Sequence, residues 1–217
     1  MSLTNLLYPS HCILCGAFVS ERQHGICADC HRAVRAEMKR YPFPPKHVDA
    51  FACAGSYAGG LGKAIRDMKF HSQRCEIQPL ADLMLEAWDV RHLPKPELVT
   101  CVPISAARAH LRGFNQSAAL AQAIAAAWNV PFQPTLKRHL LSRRQSELHA
   151  NERWKNAEKA YYARKNVDLT GQTVVLVDDV VTTGATASAC AMLLRDLGAQ
   201  TVFLLAAAKT GKSSNKT

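Results

Sequence analysis

The sequence predicts an α/β fold, an open parallel sheet with helices on both faces, preceded by a small cysteine-rich module that binds a metal. The run TVVLVDD at residues 173–179 is apolar until it ends in two carboxylates, which is typical of a parallel strand buried on both faces. Segments with helical and strand-like spacing of apolar residues alternate along the rest of the chain. Two C-x-x-C pairs near the start predict the metal-binding module.

Strand-like and helix-like segments follow one another from Phe51 onward, so residues 51–208 are predicted to form the α/β domain. Asn115 or Ser117 has the side chain needed to cap the helix that begins beside it. The predicted strands are residues 51–57, 98–104, 173–179 and 201–208. The predicted helices are residues 60–70, 79–90, 115–128 and 187–197.

Other segments lie outside this pattern. Residues 1–35 hold the cysteine pairs, and residues 36–50 contain three prolines and are predicted to be a linker. Residues 137–165 are strongly charged and have no stripe of apolar residues, so we expect a long excursion that is functional or mobile. Residues 209–217 are polar and basic, which predicts a disordered tail.

The chain has 217 residues, a formal net charge of +10 and a pI of about 9.4. This surplus favours anionic partners, namely phosphate-rich small molecules, nucleic acid or an anionic membrane, although a basic protein without a polyanionic partner has the same composition. The first residues lack the basic and apolar regions of a secretory signal, and no stretch is long enough to span a bilayer. We therefore expect a cytoplasmic protein with reduced thiols and no membrane insertion.

The cysteine pairs have the spacing C-x2-C-x11-C-x2-C, which suits a tetrahedral zinc site with four thiolate ligands. A module of this size has little core, so zinc would stabilise it, and the complete coordination makes the site structural. A reducing compartment disfavours two disulfides, and a redox C-x-x-C motif would need a single pair. The expected ligands are Cys12, Cys15, Cys27 and Cys30. The nearby alternative ligands are His11, His24 and His31.

The segment VVLVDDVVTTGATA at residues 174–187 combines a buried strand, two carboxylates and a short loop before a helix. The carboxyl end of such a strand is the edge where open α/β sheets bind ligands. Asp178 and Asp179 are acceptors suited to the two hydroxyls of a ribose, while threonine hydroxyls and N–H groups at a helix N-terminus can bind a phosphate. The loop residues are Thr182, Thr183, Gly184, Ala185 and Thr186. The alternative is a capped helix whose two acids pair with surface lysines.

This segment closely resembles the motif by which type I phosphoribosyltransferases bind phosphoribosyl pyrophosphate (PRPP). In that family the paired acids hold the ribose hydroxyls and the loop holds the 5-phosphate. Further features are the cysteine-rich start, Lys69-Phe70, the segment from Pro103 to Gln116 that ends in RGFNQ, and the segment from Arg143 to Asn156. Together they resemble the ComF/GntX family, bacterial proteins associated with competence, DNA uptake and the use of external DNA. The resemblance covers nearly the whole chain and implies a type I phosphoribosyltransferase-like sheet with a zinc module of four cysteines.

Phosphoribosyl transfer displaces pyrophosphate from C1 of the ribose, and Mg²⁺ with cationic side chains should stabilise the charge on the leaving group. The loop after the predicted strand at 98–104 lies where related folds hold pyrophosphate. Arg108 and Arg112 are the cations nearest to that loop and are therefore the catalytic candidates. Lys69 is a further candidate ligand of PRPP. As alternatives, Arg112 caps a helix and Lys69 lies on a solvated face.

The excursion at residues 137–165 corresponds in position to the mobile lid of such transferases, which closes over PRPP and excludes water. Its arginines can reach the pyrophosphate or a nucleic-acid backbone, and its aromatic residues can stack on bases or pack in the core. The arginines are Arg143, Arg144 and Arg153. The aromatic residues are Trp154, Tyr161 and Tyr162.

Two functions are compatible with these features. The first is Mg²⁺-dependent transfer of a phosphoribosyl group from PRPP to a nitrogen acceptor that the sequence does not identify, with release of pyrophosphate, in DNA uptake or the use of external DNA. The second is a non-catalytic, PRPP-responsive protein that binds single-stranded DNA through its basic surface and zinc module. We favour the first, with competence-machinery proteins as candidate partners.

Overall fold

Four parallel strands form the central sheet in the part of the chain that the computed structural model describes, and their order is β1-β6-β5-β2. The strands are β1 (Ala50–Ser56), β2 (Leu98–Cys101), β5 (Thr173–Val181) and β6 (Thr201–Lys209). The predicted strand at 98–104 therefore ends earlier, at Cys101. The structure describes residues 10–20, 23–41, 43–70, 74–105, 107, 109–110, 113–139 and 160–211.

Helices and one antiparallel hairpin complete the described elements. The α4 helix begins after Asn115, whose side chain accepts a hydrogen bond from the N–H of Ser117 at 3.1 Å. None of the helices in the described ranges combines the length and apolarity that crossing a membrane requires. The helices are α1 (Ala28–Glu37), α2 (Gly59–Phe70), α3 (Ile77–Val90), α4 (Gln116–Trp128) and α5 (Ala185–Asp196), with a 3-10 turn at Arg74–Glu76. The hairpin strands are β3 (Leu136–Arg138) and β4 (Tyr161–Ala163).

Different elements cover the two faces of the sheet, because successive residues of a strand point to opposite sides. On β5, Val175 and Val177 lie in one core cluster with residues of α2, α3 and α4. Val174 and Leu176 lie in the other cluster with residues of α5 and β4. All four side chains are fully buried, so β5 is the doubly covered parallel strand that its continuous apolar run predicts.

The connections leave the sheet in opposite directions at the boundary between β5 and β2. The α5 helix connects β5 to β6 on one side, whereas α4 leads from β2 to Phe132, which bridges Val99 on the other edge of β2. Such a reversal opens a crevice at the carboxyl ends of the two strands, where open α/β sheets bind ligands. Asp178 and Asp179 lie near this end of β5.

The cysteine module packs onto the α/β domain through a shared core. Residues 12–14 are buried in the cluster that contains residues of α2 and α3. The carboxylate of Glu86 on α3 binds two side chains of α1, His31 (Nε2–Oε2, 2.6 Å) and Arg35. The module is therefore anchored on two helices of the domain by apolar burial and by ion pairs.

The proline-rich segment between α1 and β1 also packs against the domain. Met38 lies in the core cluster on the α2 face, and Tyr41 and Val48 lie in the cluster on the α5 face. Asp49 accepts a hydrogen bond from the N–H of Val202 at 2.8 Å. Side chains of this segment therefore contribute to both core clusters.

Candidate active site and metal centre

Two adjacent carboxylates lie near the carboxyl end of β5. Asp178 is 8% exposed, and its Oδ1 accepts hydrogen bonds from the Ser117 hydroxyl at 3.2 Å and from the N–H of Asp179 at 2.9 Å. Ser117 lies in the first turn of α4, so the positive end of that helix dipole lies beside the acid. These donors favour a negative charge at this buried position.

The second carboxylate is paired with a lysine. Lys69, in the last turn of α2, places its Nζ 2.9 Å from Oδ2 of Asp179. The two side chains are 14% and 13% exposed, so water screens this pair less than it screens a surface pair. The structure thus places Lys69 at the paired acids and not on a solvated face.

The environment of Asp178 changes its acidity. Burial raises the pKa of Asp178 to about 7, and the charge of Asp179 contributes in the same direction. Lys69, the N–H of Asp179 and the Ser117 hydroxyl lower the pKa but do not cancel the effect of burial. A ligand that donates hydrogen bonds to this carboxyl would therefore favour its charged form near neutral pH.

The loop after β5 turns directly into α5. Gly184 precedes the first residue of α5 and has a φ of +82°, a left-handed conformation that favours glycine. The Thr183 hydroxyl accepts a hydrogen bond from the N–H of Ala185 at 3.3 Å, and the side chains of Thr182 and Thr183 are exposed. The N–H groups of the first turn of a helix have no partners within the helix. Together with the threonine hydroxyls they form a donor set that suits a phosphate.

Neighbouring elements support this loop from two sides. Lys209, the last residue of β6, donates from Nζ to the carbonyl oxygen of Thr182 at 3.0 Å. Behind the loop, a Cβ built on Gly184 would lie 3.0 Å from the side chain of Pro45. The loop is therefore held between the end of the next strand and the segment that precedes β1.

The structure brings together most of the predicted site. Asp178, Asp179, Lys69 and the loop at 182–186 lie at one edge of the sheet. Two groups of predicted residues lie outside the described residues. The first group consists of the candidate pyrophosphate ligands Arg108 and Arg112. The second group belongs to the excursion and consists of Arg143, Arg144, Arg153 and Trp154.

The two tyrosines at the end of the excursion differ in exposure. Tyr161 is 4% exposed, and burial raises its pKa to about 12, although a hydrogen bond with the Thr186 side chain acts in the opposite direction. Stacking on a base is therefore ruled out for Tyr161, and the core alternative applies. Tyr162 is 39% exposed, and its ring packs against His139 with centroids 4.4 Å apart.

Two residues of the site are not among those that the sequence predicts as ligands. Ser117 fits the sequence pattern of a helix cap, but its hydroxyl binds Asp178. Lys209 falls in the predicted tail, but it ends β6 and binds the phosphate loop. Both contacts depend on the order of strands in the sheet, because β2 and β6 are the two neighbours of β5. These two contacts could have been predicted from the sequence only if the strand order had been predicted correctly first.

The four cysteines of the module form one compact cluster. Their sulfur atoms all lie within 4.8 Å of one another, and Cys15 Sγ is 3.7 Å from Cys27 Sγ. Zinc–sulfur bonds of about 2.3 Å in a tetrahedron place the sulfurs about 3.8 Å apart, so the cluster fits zinc. Among the described residues, no histidine belongs to the cluster, and His31 binds Glu86. All eight cysteines lie in described ranges and are free thiols.

The four thiols differ in acidity: Cys12 is favoured as the thiolate that binds a metal, whereas burial and the neighbouring cysteines raise the pKa of Cys30 in the metal-free chain. Burial acts to raise the pKa of Cys12, but hydrogen bonds with the backbone of Cys27, Cys15 and Leu14 outweigh it and lower the pKa to about 7. Cys27 and Cys30 lie at the N-terminal end of α1, where the helix dipole favours negative charge. The compact arrangement of the four sulfurs supports a structural zinc site in which all four ligands come from this chain.

The cluster leads to a prediction about metal content. Cys15→Ser should reduce bound zinc from one ion per chain to a small fraction and lower the free energy of unfolding by several kcal/mol, because the metal stabilises a module with little core. Metal analysis by mass spectrometry and thermal unfolding measure the two effects. Cys75→Ser is the matched control, since Cys75 is an exposed cysteine outside the cluster. Full zinc content in Cys15→Ser would contradict the assignment.

The raised pKa of Asp178 leads to a prediction about pH. Because its pKa is about 7 in the folded chain and its ordinary value is 3.8, the folded state holds the proton more tightly. This contribution to stability is complete below pH 3.8 and is lost as pH rises through about 7. Asp178→Asn should therefore reduce the fall in stability across that window, as measured by chemical denaturation at a series of pH values.

Asp168→Asn is the control for this experiment. Hydrogen bonds from Thr170 lower the pKa of Asp168, so this exposed residue contributes to the pH dependence with the opposite sign. Some loss of stability will remain in Asp178→Asn, because burial raises the pKa of Glu76 to about 7 as well. An Asp178→Asn profile parallel to that of the wild type would show that Asp178 does not titrate in this range.

Comparison with known proteins agrees with both parts of the structure. Residues 3–41 match the double zinc ribbon domain, and residues 115–216 match the phosphoribosyl transferase domain. The DNA utilization protein YhgH of Salmonella typhi is 32% identical over 223 residues, which cover 91% of this chain and 96% of that protein. Competence protein F of Haemophilus influenzae is 27% identical over 216 residues, which cover 88% and 93% of the two chains.

Among solved structures, an adenine phosphoribosyltransferase aligns with 66% of this chain and 74% of its own, with 19% identity and a TM-score of 0.40. The alignment with YhgH covers nearly the whole of both chains in a single match. The chain therefore belongs to the ComF/GntX family, which includes the DNA utilization protein YhgH and competence protein F, and it joins a double zinc ribbon to a phosphoribosyltransferase domain.

Proposed function

We propose that this protein binds PRPP and transfers its phosphoribosyl group to a nitrogen acceptor. One observation carries the proposal, namely the paired acids and the adjacent phosphate loop at the switch point of the sheet. Carboxylates repel a phosphate and accept hydrogen bonds from hydroxyls, whereas the loop offers only donors at the helix N-terminus. A ligand with two neighbouring hydroxyls and a phosphate, such as ribose 5-phosphate, satisfies both groups.

In this proposal the acids select the ribose. Asp178 and Asp179 accept hydrogen bonds from the 2- and 3-hydroxyls, and Thr182, Thr183 and the first N–H groups of α5 hold the 5-phosphate. Lys69 pairs with Asp179 and so fixes the position of that carboxylate before the ligand arrives. The ribose is thereby fixed at two ends, which leaves C1 free to react.

The leaving group requires positive charge. As pyrophosphate departs, the C1–O bond breaks with both electrons on the phosphate oxygen, and the lone pair of the acceptor nitrogen forms the C1–N bond while the nitrogen loses a proton. We assign the supply of this positive charge to Arg108 and Arg112, with Lys69, which lies at the acids, as a further cation near the site. Mg²⁺ bound with PRPP would neutralise further charge on the pyrophosphate oxygens.

The relatives suggest where this chemistry is used. They are named for DNA utilization and for competence, so we propose a role in DNA uptake or in the use of external DNA, with competence-machinery proteins as partners. The zinc thiolates require a reducing compartment, which supports the cytoplasm as the location.

Calorimetric titration of PRPP with Mg²⁺ tests the binding step. A hydrogen bond to a charged group contributes about 1.5–3 kcal/mol, so Asp178→Asn and Asp179→Asn should each weaken binding about tenfold to a hundredfold, and the double variant should not bind measurably. Pyrophosphate release, followed in parallel with added nitrogen acceptors, tests the transfer step. Asp89→Asn on α3 is the control, because it changes an exposed acid remote from β5.

Each result decides a separate part of the proposal. Binding by the wild type and Asp89→Asn that the double variant loses supports the PRPP site. Absence of binding by the wild type refutes it. Binding without pyrophosphate release for any acceptor favours the second candidate function, a non-catalytic protein that responds to PRPP and binds single-stranded DNA.

One feature of the surface favours that second candidate. A hollow of 410 Å³ between the end of α1 and the end of α3 is lined by Arg35, Lys39 and His92 together with Ala36 and Val90. None of these described lining residues is acidic, although Arg35 also pairs with Glu86 of α3, so Lys39 contributes most of the positive charge that the hollow offers a ligand. A cationic hollow of this kind suits the phosphates of a nucleic-acid backbone.

Fluorescence anisotropy with labelled oligo(dT) tests DNA binding. Affinity should fall steeply between about 50 mM and 200 mM salt, because cations released from the DNA drive the association. Lys39→Glu should weaken binding several-fold and reduce the salt dependence. Lys165→Glu, which makes the same charge change at an exposed position after β4, should have a smaller effect. Equal effects of the two changes would show that the hollow is not the binding surface.

A further inference from the structure

We infer that the zinc module positions Lys69 in the phosphoribosyl site, through a backbone contact between Leu14 and Gly60 that fixes the α2 helix. The inference rests on the proposed function only where PRPP binding is its readout. In this inference the zinc module contributes to the site at the sheet edge, in addition to stabilising its own fold. Leu14 and Gly60 act as positioning residues, because neither touches the acids.

The main chain of Leu14 lies directly against Gly60. A Cβ built on Gly60 would lie 2.4 Å from the carbonyl oxygen of Leu14 and 2.8 Å from its Cβ. Gly60 does not have a positive φ, so glycine is required here for space and not for backbone conformation. The main chain of the module therefore contacts the first turn of α2 so closely that only glycine fits at position 60.

The first C-x-x-C turn links this contact to the metal cluster. Leu14 lies between Cys12 and Cys15, the two cysteines of that turn. Hydrogen bonds close the turn, with the N–H of Cys12 2.7 Å from the carbonyl oxygen of Ala17 and the N–H of Gly16 2.8 Å from that of Cys12. The position of the Leu14 carbonyl is thus set by the same turn that presents two of the thiolates.

The α2 helix connects Gly60 to Lys69 as a rigid element. The helix has 12 residues and is about 18 Å long. Its buried face packs into the shared core, and Lys69 is in its last turn, so a tilt or a shift at Gly60 is carried along the helix to the lysine. The residues of the buried face, between 0% and 4% exposed, are Leu61, Ala64, Ile65 and Met68.

The ion pair between Lys69 and Asp179 depends on the position of α2. Lys69 Nζ lies 2.9 Å from Asp179 Oδ2, and both side chains are largely buried. A displacement of about 1 Å would lengthen this ion pair beyond hydrogen-bonding distance. Lys69 also lowers the pKa of Asp178, so the position of α2 affects the charge of Asp178 as well as the ion pair with Asp179.

The contacts of Glu86 provide a contrast to the contact between Leu14 and Gly60, because they attach the same module to a different helix. Glu86 connects His31 and Arg35 of α1 to α3, and within the described residues both of these carboxylate bonds go to α1 and not to α2. Loss of this tether weakens the attachment of the module without inserting anything between Leu14 and Gly60. Glu86→Gln therefore separates a general loosening of the module from a specific effect on α2.

The experiment is a double-mutant cycle of Gly60→Ala and Lys69→Met, read by calorimetric titration of PRPP with Mg²⁺. Gly60→Ala should weaken PRPP binding several-fold while zinc content stays at one ion per chain. In the Lys69→Met background, Gly60→Ala should have no further effect, because the lysine through which it acts is absent. Lys63→Met and Glu86→Gln are the controls and should bind PRPP like the wild type, since Lys63 lies on the exposed face of α2.

A second readout does not depend on PRPP. Acetylation by N-hydroxysuccinimide acetate, quantified by mass spectrometry, should modify Lys69 slowly in the wild type and several-fold faster in Gly60→Ala. Lys63, which is 61% exposed on the same helix, serves as the internal reference and should not change. If the wild type does not bind PRPP, the proposed function fails, and this measurement still decides the coupling.

The outcomes are distinct. Unchanged Lys69 acetylation in Gly60→Ala, or losses of PRPP affinity that add in the double variant, would overturn the inference. If Gly60→Ala does not fold, Leu14→Ala replaces it, because it removes the packing of a buried side chain without inserting an atom. Faster Lys69 acetylation in Leu14→Ala, with Lys63 unchanged, supports the inference, and an unchanged rate overturns it.

Discussion

Two adjacent carboxylates at the end of a buried strand are the constraint on which the rest of the site depends. Burial and, after it, the neighbouring charge of Asp179 impose a penalty on the charged form of Asp178. The elements around β5 offset it, since α2 supplies an ammonium group, α4 a hydroxyl and β5 its own N–H. These groups come from distant parts of the sequence, so the pair is tolerated only after the fold has assembled.

The same constraint explains why the site suits its proposed ligand. The apo protein holds its acids with a cation and a few donors, and a sugar with neighbouring hydroxyls would add donors where the acids still have capacity. The loop before α5 lies a few residues further along the chain. Unlike the acids, it favours a negatively charged ligand, because it leads into a helix N-terminus. Opposite electrostatic preferences within a few residues are what a phosphorylated sugar requires.

Local signals in the sequence predicted the sheet, the loop that leads into α5 and the cysteine cluster, because each is encoded by a short segment. The apolar run of β5 and the loop that begins at Thr182 need no information about distant residues. The contacts of Ser117 and Lys209 could not be predicted in this way, since they arise where separate elements meet beside β5. Tyr161 was ambiguous for the same reason, because only its place under α5 decides that it is buried.

The contact between Pro45 and Gly184 has a consequence for how the two parts of the chain are related. The back of the phosphate loop is formed by a segment that precedes the first strand, and Tyr41 and Val48 of that segment complete the core on the same face. A gene fragment that began at Ala50 would encode every strand of the sheet and the whole phosphate loop, yet it would lack the wall behind that loop. The connecting segment is therefore part of the sheet domain in structural terms, and a chimera that exchanged only the ribbon would have to keep this segment with the sheet.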